Sequence, residues 1–234
     1  MKKLTLLLFT VIIFSVASAQ KELGDNEHYI TLIHLDGTEK EVILLQNLKY
    51  PWYYQKKISI VDKEVFESVE KIKNKNKNLY KPSDVKGFRI GTQLYETQKY
   101  SDLSALGMAS LPTDYFLEVA VYGKVKIYKF YQTPYVESGS APLSSDELNQ
   151  KFRDNPLILI WKEGEKTKEV SLVKIEKYFG DNERVMGKYA KGEYGNTVDD
   201  PDKKVLGKLL DKAGDDKEQI IIQMAIDYNQ DYSF

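Results

Sequence analysis

Cysteine is absent from this chain of 234 residues. Its absence excludes disulfides, cysteine nucleophiles, thiolate metal ligands and attachment of a lipid to an N-terminal cysteine, so packing alone must hold the fold. Histidine is almost absent as well, because His28 and His34 are the only two. Both would point to the same side of an alternating strand, but a zinc site needs three or four ligands. We therefore interpret them as ordinary residues at the edge of a strand and expect neither a metal nor a cofactor.

The chain has no excess of charge of either sign. Its 34 lysine and arginine residues nearly balance its 35 aspartate and glutamate residues, which gives a formal net charge of -1. Proteins that bind nucleic acid through its phosphates usually carry a basic surface, so this balance argues against a nucleic-acid partner.

Long apolar runs are missing after the N-terminus. The one pronounced run, residues 4–16, is shorter than the roughly 20 residues that span a bilayer. It follows two lysines and precedes Ala17-Ser18-Ala19, a small-x-small pattern typical of a signal peptidase site. We predict a signal peptide over 1–19 that is removed after Ala19. The mature protein would then be exported, to the periplasm or the cell exterior, without a membrane span.

No catalytic motif is present. There is no Gly-x-Ser-x-Gly turn, and Ser138-Gly139-Ser140 lies in a stretch of glycine, serine and proline that predicts a surface loop over 135–145. The acidic cluster of Asp199, Asp200 and Asp202 lacks the spacing of a calcium loop, and helix capping by Asp200 explains it better. Paired carboxylates leave no local pattern, so hydrolysis of a glycan stays open.

Two further features bear on a binding role, one against it and one in its favour. The lysines of residues 71–77 alternate with asparagines, which favours an exposed turn over an anion site. The 17 tyrosines suit amphipathic strands, and they equally allow an aromatic binding surface.

Alternating patterns predict an antiparallel β-rich body over 20–168. Asp36-Gly37 joins strands at 29–35 and 38–45, and further strands are expected at 57–61, 88–90, 94–99 and 157–161. The clearest pair is 116–122 and 125–131, joined by Gly123-Lys124. A two-residue turn would place Tyr122 opposite Val125 and therefore Glu118 opposite Lys129, so that opposite charges support the register.

Helical patterns predict a C-terminal helical region over 169–234 that packs on this body. Leu172, Ile175 and Phe179 fit one face of a short helix, and Asp181 is expected to cap a helix that ends at Gly192. Another helix should start at Asp200-Pro201. A capping box of Asp215 and Glu218 predicts a final helix, whose buried residues would be Ile220, Ile221, Met224 and Tyr228.

Residues 80–88, the strand at 116–119 and the turn at 123–125 resemble a diffuse group of small exported proteins of Gram-negative bacteria. Members share the Asp-Gly hairpin, the Tyr-Lys-Pro turn and the Phe-Leu-Glu strand. Many carry a cysteine after the position of Tyr178-Phe179, where this chain has Gly180-Asp181-Asn182. The group has no established activity, so the resemblance assigns no site residue.

These patterns predict an α+β protein: an antiparallel meander, open or barrel-like, with a C-terminal helical region. We expect a non-enzymatic module that binds a protein or another component of the cell envelope. The alternatives are a periplasmic carboxylate-dependent hydrolase of glycan or peptidoglycan, and a carrier of a small apolar ligand if the sheet closes around a cavity.

The predicted cleavage can be checked directly. Protein purified from an exporting bacterial host should begin at Gln20 on N-terminal sequencing, because the peptidase would cut after the last small residue of the site. A sequence that begins at Met1, or recovery from the cytosol, would contradict the predicted export.

Overall fold

Alternation of buried and exposed residues builds a ten-stranded antiparallel sheet within the residues that the structure, a computed structural model, describes: 21–102, 111–136, 144–198 and 216–232. The predicted signal peptide, the Ser138-Gly139-Ser140 segment, the acidic cluster at 199–202 and the helix expected from Asp200 lie outside those ranges. The strands are β1 (His28–Ile33), β2 (Glu39–Leu44), β3 (Ile58–Asp62), β4 (Asn78–Tyr80), β5 (Gly87–Ile90), β6 (Gln93–Tyr100), β7 (Thr113–Val121), β8 (Val125–Phe130), β9 (Leu157–Lys162) and β10 (Lys168–Glu169).

Six α-helices lie among the described residues. They are α1 (Pro51–Tyr54), α2 (Lys63–Ser68), α3 (Ser145–Asp154), α4 (Ile175–Phe179), α5 (Glu183–Ala190) and α6 (Lys217–Gln230). No helix among the described residues has the length and apolar character needed to cross a membrane.

Two meanders share the sheet, whose strand order is β10-β9-β8-β7-β6-β5-β1-β2-β3-β4. They join where β1 pairs with both β2 and β5. The predicted α+β class with a β-rich body is confirmed. The barrel-like alternative is wrong, because β4 and β10 form two edges that do not pair with each other. The closed cavity on which the carrier hypothesis depends is therefore not formed by this sheet.

The Asp-Gly hairpin forms as predicted. Gly37 has a φ of 88°, and the Asp36 carboxylate accepts hydrogen bonds from the Thr38 backbone N–H and hydroxyl at 2.9 and 2.7 Å. These bonds hold the pKa of Asp36 below its ordinary value, so the carboxylate stays ionised in the turn.

Three helix starts differ from the sequence-based expectation. The proline and aromatic residues of the segment 50–54 interrupt the alternating pattern and predict a loop or an edge. The segment instead forms α1, because Pro51 occupies a first-turn position. Asn182, not Asp181, caps α5, since its side chain accepts from the Val185 N–H at 3.0 Å. Asp216, not Asp215, caps α6 through the Gln219 N–H. In the last two cases the capping residue follows the expected one directly.

Helix α3 was not predicted. Its signal is a capping box: the Ser144 hydroxyl lies 3.3 Å from the Glu147 N–H, and the Glu147 carboxylate accepts from the Ser144 N–H at 2.9 Å. The preceding glycine- and serine-rich stretch hides this pattern in the sequence.

One face of the sheet carries two apolar cores. The first spans the junction of the two meanders and includes Leu32, Val42 and Phe88. Helix α1 closes it, because the Phe116 N–H donates to the Gln55 carbonyl oxygen at 2.8 Å. The second core is formed by Ile127 and neighbouring residues of β8 and β9 with helices α4, α5 and α6. The residues predicted to be buried in α6 are Ile220, Ile221, Met224 and Tyr228, and all four are in this core.

Glu118 occupies the boundary between the two cores, on the central strand β7. Its carboxylate accepts from the Lys129 ammonium at 2.8 Å, the Tyr131 hydroxyl at 2.6 Å and the Tyr95 hydroxyl at 3.3 Å. The predicted Glu118–Lys129 pairing is therefore confirmed. Burial raises the pKa of both tyrosines, so they remain donors at neutral pH. The carboxylate thus links β6, β7 and β8.

Replacement of Glu118 by alanine should lower the free energy of unfolding by about 1–3 kcal/mol, because buried hydroxyls lose their acceptor. Urea denaturation followed by circular dichroism measures the change. The matched control is Glu41→Ala, which removes the ion pair between Glu41 and Lys63. The Glu41 side chain is 54% exposed. That control should cost less than about 1 kcal/mol. Equal losses in the two variants would contradict a bridging role for Glu118.

Candidate functional site

The β7–β8 hairpin ends in an irregular tip. A bulge between Val119 and Val121 places Val121 opposite Ile127. The predicted pairing of Tyr122 with Val125 is therefore wrong, because it would place Val121 opposite Lys126. Gly123 has a φ of 148°, a region that residues with a side chain rarely adopt. The bulge and the glycine together turn Tyr122 outward, and 68% of its surface is exposed.

Helix α6 holds this tip in place through Asn229. The Asn229 amide donates to the carbonyl oxygens of Val125 at 2.7 Å and Tyr122 at 3.2 Å, and its oxygen accepts from the Val125 N–H at 3.1 Å. A Cβ on Gly123 would lie 2.2 Å from the Asn229 side chain. The tip and the helix therefore fit together only with glycine at this position.

A cleft of about 1000 Å³ opens beside the tip, between the turn that follows β9 and the end of α6. We call it the tip cleft. Its lining combines aromatic rings, lysines and two carboxylates, and includes Tyr122, Lys124, Lys126, Trp161, Lys162, Glu163, Asp181 and Tyr232. This volume lies at the upper end of the range of about 300–1000 Å³ that small-molecule sites occupy.

Two of the three lysines in the tip cleft are neutralised by carboxylates. Lys126 donates to both oxygens of Glu96 at 2.9 and 2.7 Å. Lys162 donates to both oxygens of Asp181 at 2.7 Å. These two cations are fixed parts of the wall, and their charge is balanced.

Lys124 differs from them. Its ammonium lies 3.5 Å from the centre of the Tyr232 ring and makes no ion pair with any carboxylate in the described part of the chain. A cation–π contact orients an ammonium without cancelling its charge. Lys124 is exposed. The tip cleft therefore presents the Lys124 ammonium to a ligand, and the exposed Glu163 carboxylate lines the same cleft without an ion pair among the described residues.

The carboxylate beside the tip cleft is held in its ionised form. Partial burial of Asp181 by itself would raise its pKa. Hydrogen bonds from Lys162 and from the Tyr228 hydroxyl outweigh this effect and bring the pKa below its ordinary value, and the Tyr228 bond is 2.9 Å long. A general acid needs a raised pKa at neutral pH, so Asp181 does not suit that role.

The residues considered from the sequence do not come together into a site. His28 and His34 lie at opposite ends of β1, which separates them by about 20 Å at the strand rise. Burial lowers the pKa of His28, and its Nε2 has no hydrogen-bond partner among the described residues. Across the described ranges, no group of three or more histidine, aspartate or glutamate side chains is placed to hold a metal ion. The lysines of 71–77 form the exposed turn that was expected.

Sequence reasoning missed the tip cleft. Gly123-Lys124 was recognised as a turn, but nothing in the sequence connects it with Asn229, which lies 104 residues away from Val125. The abundance of tyrosine was the only available signal. Comparison with protein-family models, curated proteins and solved structures found no match to this chain.

A double-mutant cycle tests the fit between tip and helix. Gly123→Ala should destabilise the protein, and the loss should be smaller in an Asn229→Ala background, because the shorter side chain leaves room for the new Cβ. We expect a coupling free energy of about 1–3 kcal/mol between the two positions, measured by urea denaturation.

Gly164→Ala serves as the control for this cycle. Gly164 has a φ of 81° and no heavy atom lies within 4 Å of a Cβ built on it, so only backbone strain opposes the change. Its cost should be the same with and without Asn229. A Gly123→Ala cost that is also independent of Asn229 would show that the two residues do not constrain each other.

Proposed function

We propose that this protein is a non-enzymatic binding module that takes an acidic saccharide of the cell envelope in the tip cleft. The observation that carries the proposal is the Lys124 ammonium, which pairs with no carboxylate among the described residues and is held on the Tyr232 ring inside a cleft that also contains Trp161. A uronic acid offers matching chemistry, because it combines a carboxylate with a ring that has an apolar C–H face.

The aromatic side chains fit this ligand class. Trp161 is half-buried and Tyr122 largely exposed, and the Lys126 ammonium lies 5.6 and 4.7 Å from their respective ring centres. Each ring is thus supported from one side by the lysine. Large rigid rings supply contact area at low cost in side-chain entropy, so they favour recognition of a sugar surface.

The hydrolase alternative receives less support. Glycoside hydrolysis needs one protonated carboxylic acid beside an ionised partner. The hydrogen bonds from Lys162 and Tyr228 keep Asp181 ionised, and the Glu96 carboxylate is engaged by Lys126 and by the Tyr128 hydroxyl at 2.8 Å. These contacts favour a binding wall over an acid and base pair.

A location in the envelope is part of the proposal. It rests on the predicted signal peptide over 1–19 and on the resemblance to small exported proteins of Gram-negative bacteria. An acidic envelope polysaccharide would be accessible to a protein in the periplasm or on the cell exterior.

Calorimetric titration with hexagalacturonate tests the proposal. The wild-type protein should bind it, and Lys124→Gln should weaken binding at least about tenfold, because a hydrogen bond to a charged group contributes roughly 1.5–3 kcal/mol. Affinity should fall as salt is added. Trp161 should report the same event by a change in fluorescence, since Trp52 is only 2% exposed.

Lys75→Gln is the matched control, because Lys75 carries the same charge in the exposed turn outside the tip cleft. It should bind hexagalacturonate as the wild type does, and neutral maltohexaose should bind more weakly than the acidic chain. Absence of hexagalacturonate binding, an equal loss in both lysine variants, or release of new reducing ends during incubation would overturn the proposed function.

A further inference from the structure

A second concave surface adjoins the tip cleft on the sheet face opposite the two cores, beside a buried cluster that includes Leu117, Tyr128 and Leu159. This sheet groove has a volume of about 540 Å³, and its lining includes Lys86, Arg89, Glu96 and Gln98. Tyr122 and Lys126 line both the sheet groove and the tip cleft. The two concavities therefore meet at these side chains and form one continuous path.

The charges along this path are balanced in its middle and unbalanced at its ends. Arg89 pairs with Glu39, and Lys126 pairs with Glu96. The Tyr128 hydroxyl is a second donor group to Glu96 and makes the third hydrogen bond to its carboxylate. A negatively charged ligand would therefore cross the middle without meeting a bare carboxylate.

Lys86 occupies the far end of the path. It is exposed and, like Lys124, it makes no ion pair with any carboxylate among the described residues. Arg89, Lys126 and Lys162, the other cations that line the path, all have carboxylate partners. Two lysines without an ion pair among the described residues thus stand at opposite ends of these adjoining concave surfaces, and the Glu163 carboxylate lies in the cleft at the Lys124 end.

The separation of these cations limits the ligand. Lys86 directly precedes β5 and Lys124 directly precedes β8, and two strands lie between β5 and β8. Three strand spacings amount to about 14 Å across the sheet. Because β5 and β8 run antiparallel, their starts lie at opposite ends of the strands, which adds about 20 Å along the sheet, so the two lysines are roughly 24 Å apart. One sugar ring is too short to contact both ammonium groups, whereas a chain of several rings with a carboxylate on each can do so.

We infer that the ligand is an extended acidic oligosaccharide that runs from the tip cleft past Tyr122 into the sheet groove, with Lys124 and Lys86 binding separate carboxylates. This inference rests on the proposed function and adds to it the length of the ligand and a second cationic subsite. Lys86 contributes only to ligands long enough to reach it.

Chain-length dependence tests the inference. Wild-type protein should bind hexagalacturonate at least about 50-fold more tightly than digalacturonate. The hexamer contains five overlapping disaccharide units, which raises its affinity only about fivefold for statistical reasons. The contact with Lys86 should raise the affinity by a further factor of about ten or more. Calorimetric titration with each oligosaccharide measures both affinities at the same salt concentration.

Lys86→Gln separates the two subsites. It should weaken hexagalacturonate binding about tenfold and leave digalacturonate binding unchanged, whereas Lys124→Gln should weaken both. Lys81→Gln is the matched control, since Lys81 is an exposed lysine nearby in sequence that does not line the sheet groove. Unchanged urea midpoints confirm that the variants stay folded.

The possible outcomes distinguish this inference from the proposed function. A length effect of about fivefold or less, or a Lys86→Gln variant that binds hexagalacturonate like the wild type, would overturn the extended path and leave the tip cleft as a short site. Absence of hexagalacturonate binding would overturn both. Equal affinity for hexaglutamate, which carries similar charge without sugar rings, would overturn the assignment of a saccharide.

Discussion

The contact of Glu118 with Lys129 is the interaction on which the rest of the structure depends. It fixes the register of β7 against β8 at the point where the two apolar cores meet, and the tyrosine hydroxyls from β6 and from the end of β8 complete it. A buried carboxylate is unfavourable unless donors surround it, so any other register would leave Glu118 unsatisfied. The position of the hairpin tip, and of Tyr122 and Lys124 on it, follows from this register.

The tip cleft is an outcome of tertiary packing. One wall comes from the hairpin tip, one from the end of β9 and one from α6, and Asn229 joins the first wall to the last through three hydrogen bonds. Apolar contacts of α6 with β8 and β9 bring Asn229 to the tip. The same packing positions Tyr232 against Lys124, so the stability of the second core and the orientation of the free ammonium are coupled.

Local chemistry explains which features the sequence could predict. The Asp36-Gly37 turn needs only adjacent residues. The Glu118–Lys129 pair was predicted by counting outward from a two-residue turn, and it forms because the bulge between Val119 and Val121 offsets the longer tip. The cap of α5 is Asn182 and not the predicted Asp181, one position earlier. The two neighbouring polar residues have similar capping tendencies, so tertiary contacts decide which of them caps the helix. Because Asn182 takes the capping position, the Asp181 carboxylate binds Lys162 and Tyr228 instead. The tip cleft depends on contacts between segments about a hundred residues apart, which no local pattern encodes.

The two ends of the sheet have a consequence for the behaviour of the protein in solution. An unpaired strand offers free backbone donors and acceptors to a neighbouring molecule, and long flat edges promote aggregation. Here the outer strands β4 and β10 have three and two residues, and a turn that contains Lys73 and Lys75 leads into β4. Such short edges give an incoming strand few hydrogen bonds, and the lysines of adjacent copies would repel one another. An open sheet of this width can therefore stay dispersed at high concentration without closing on itself.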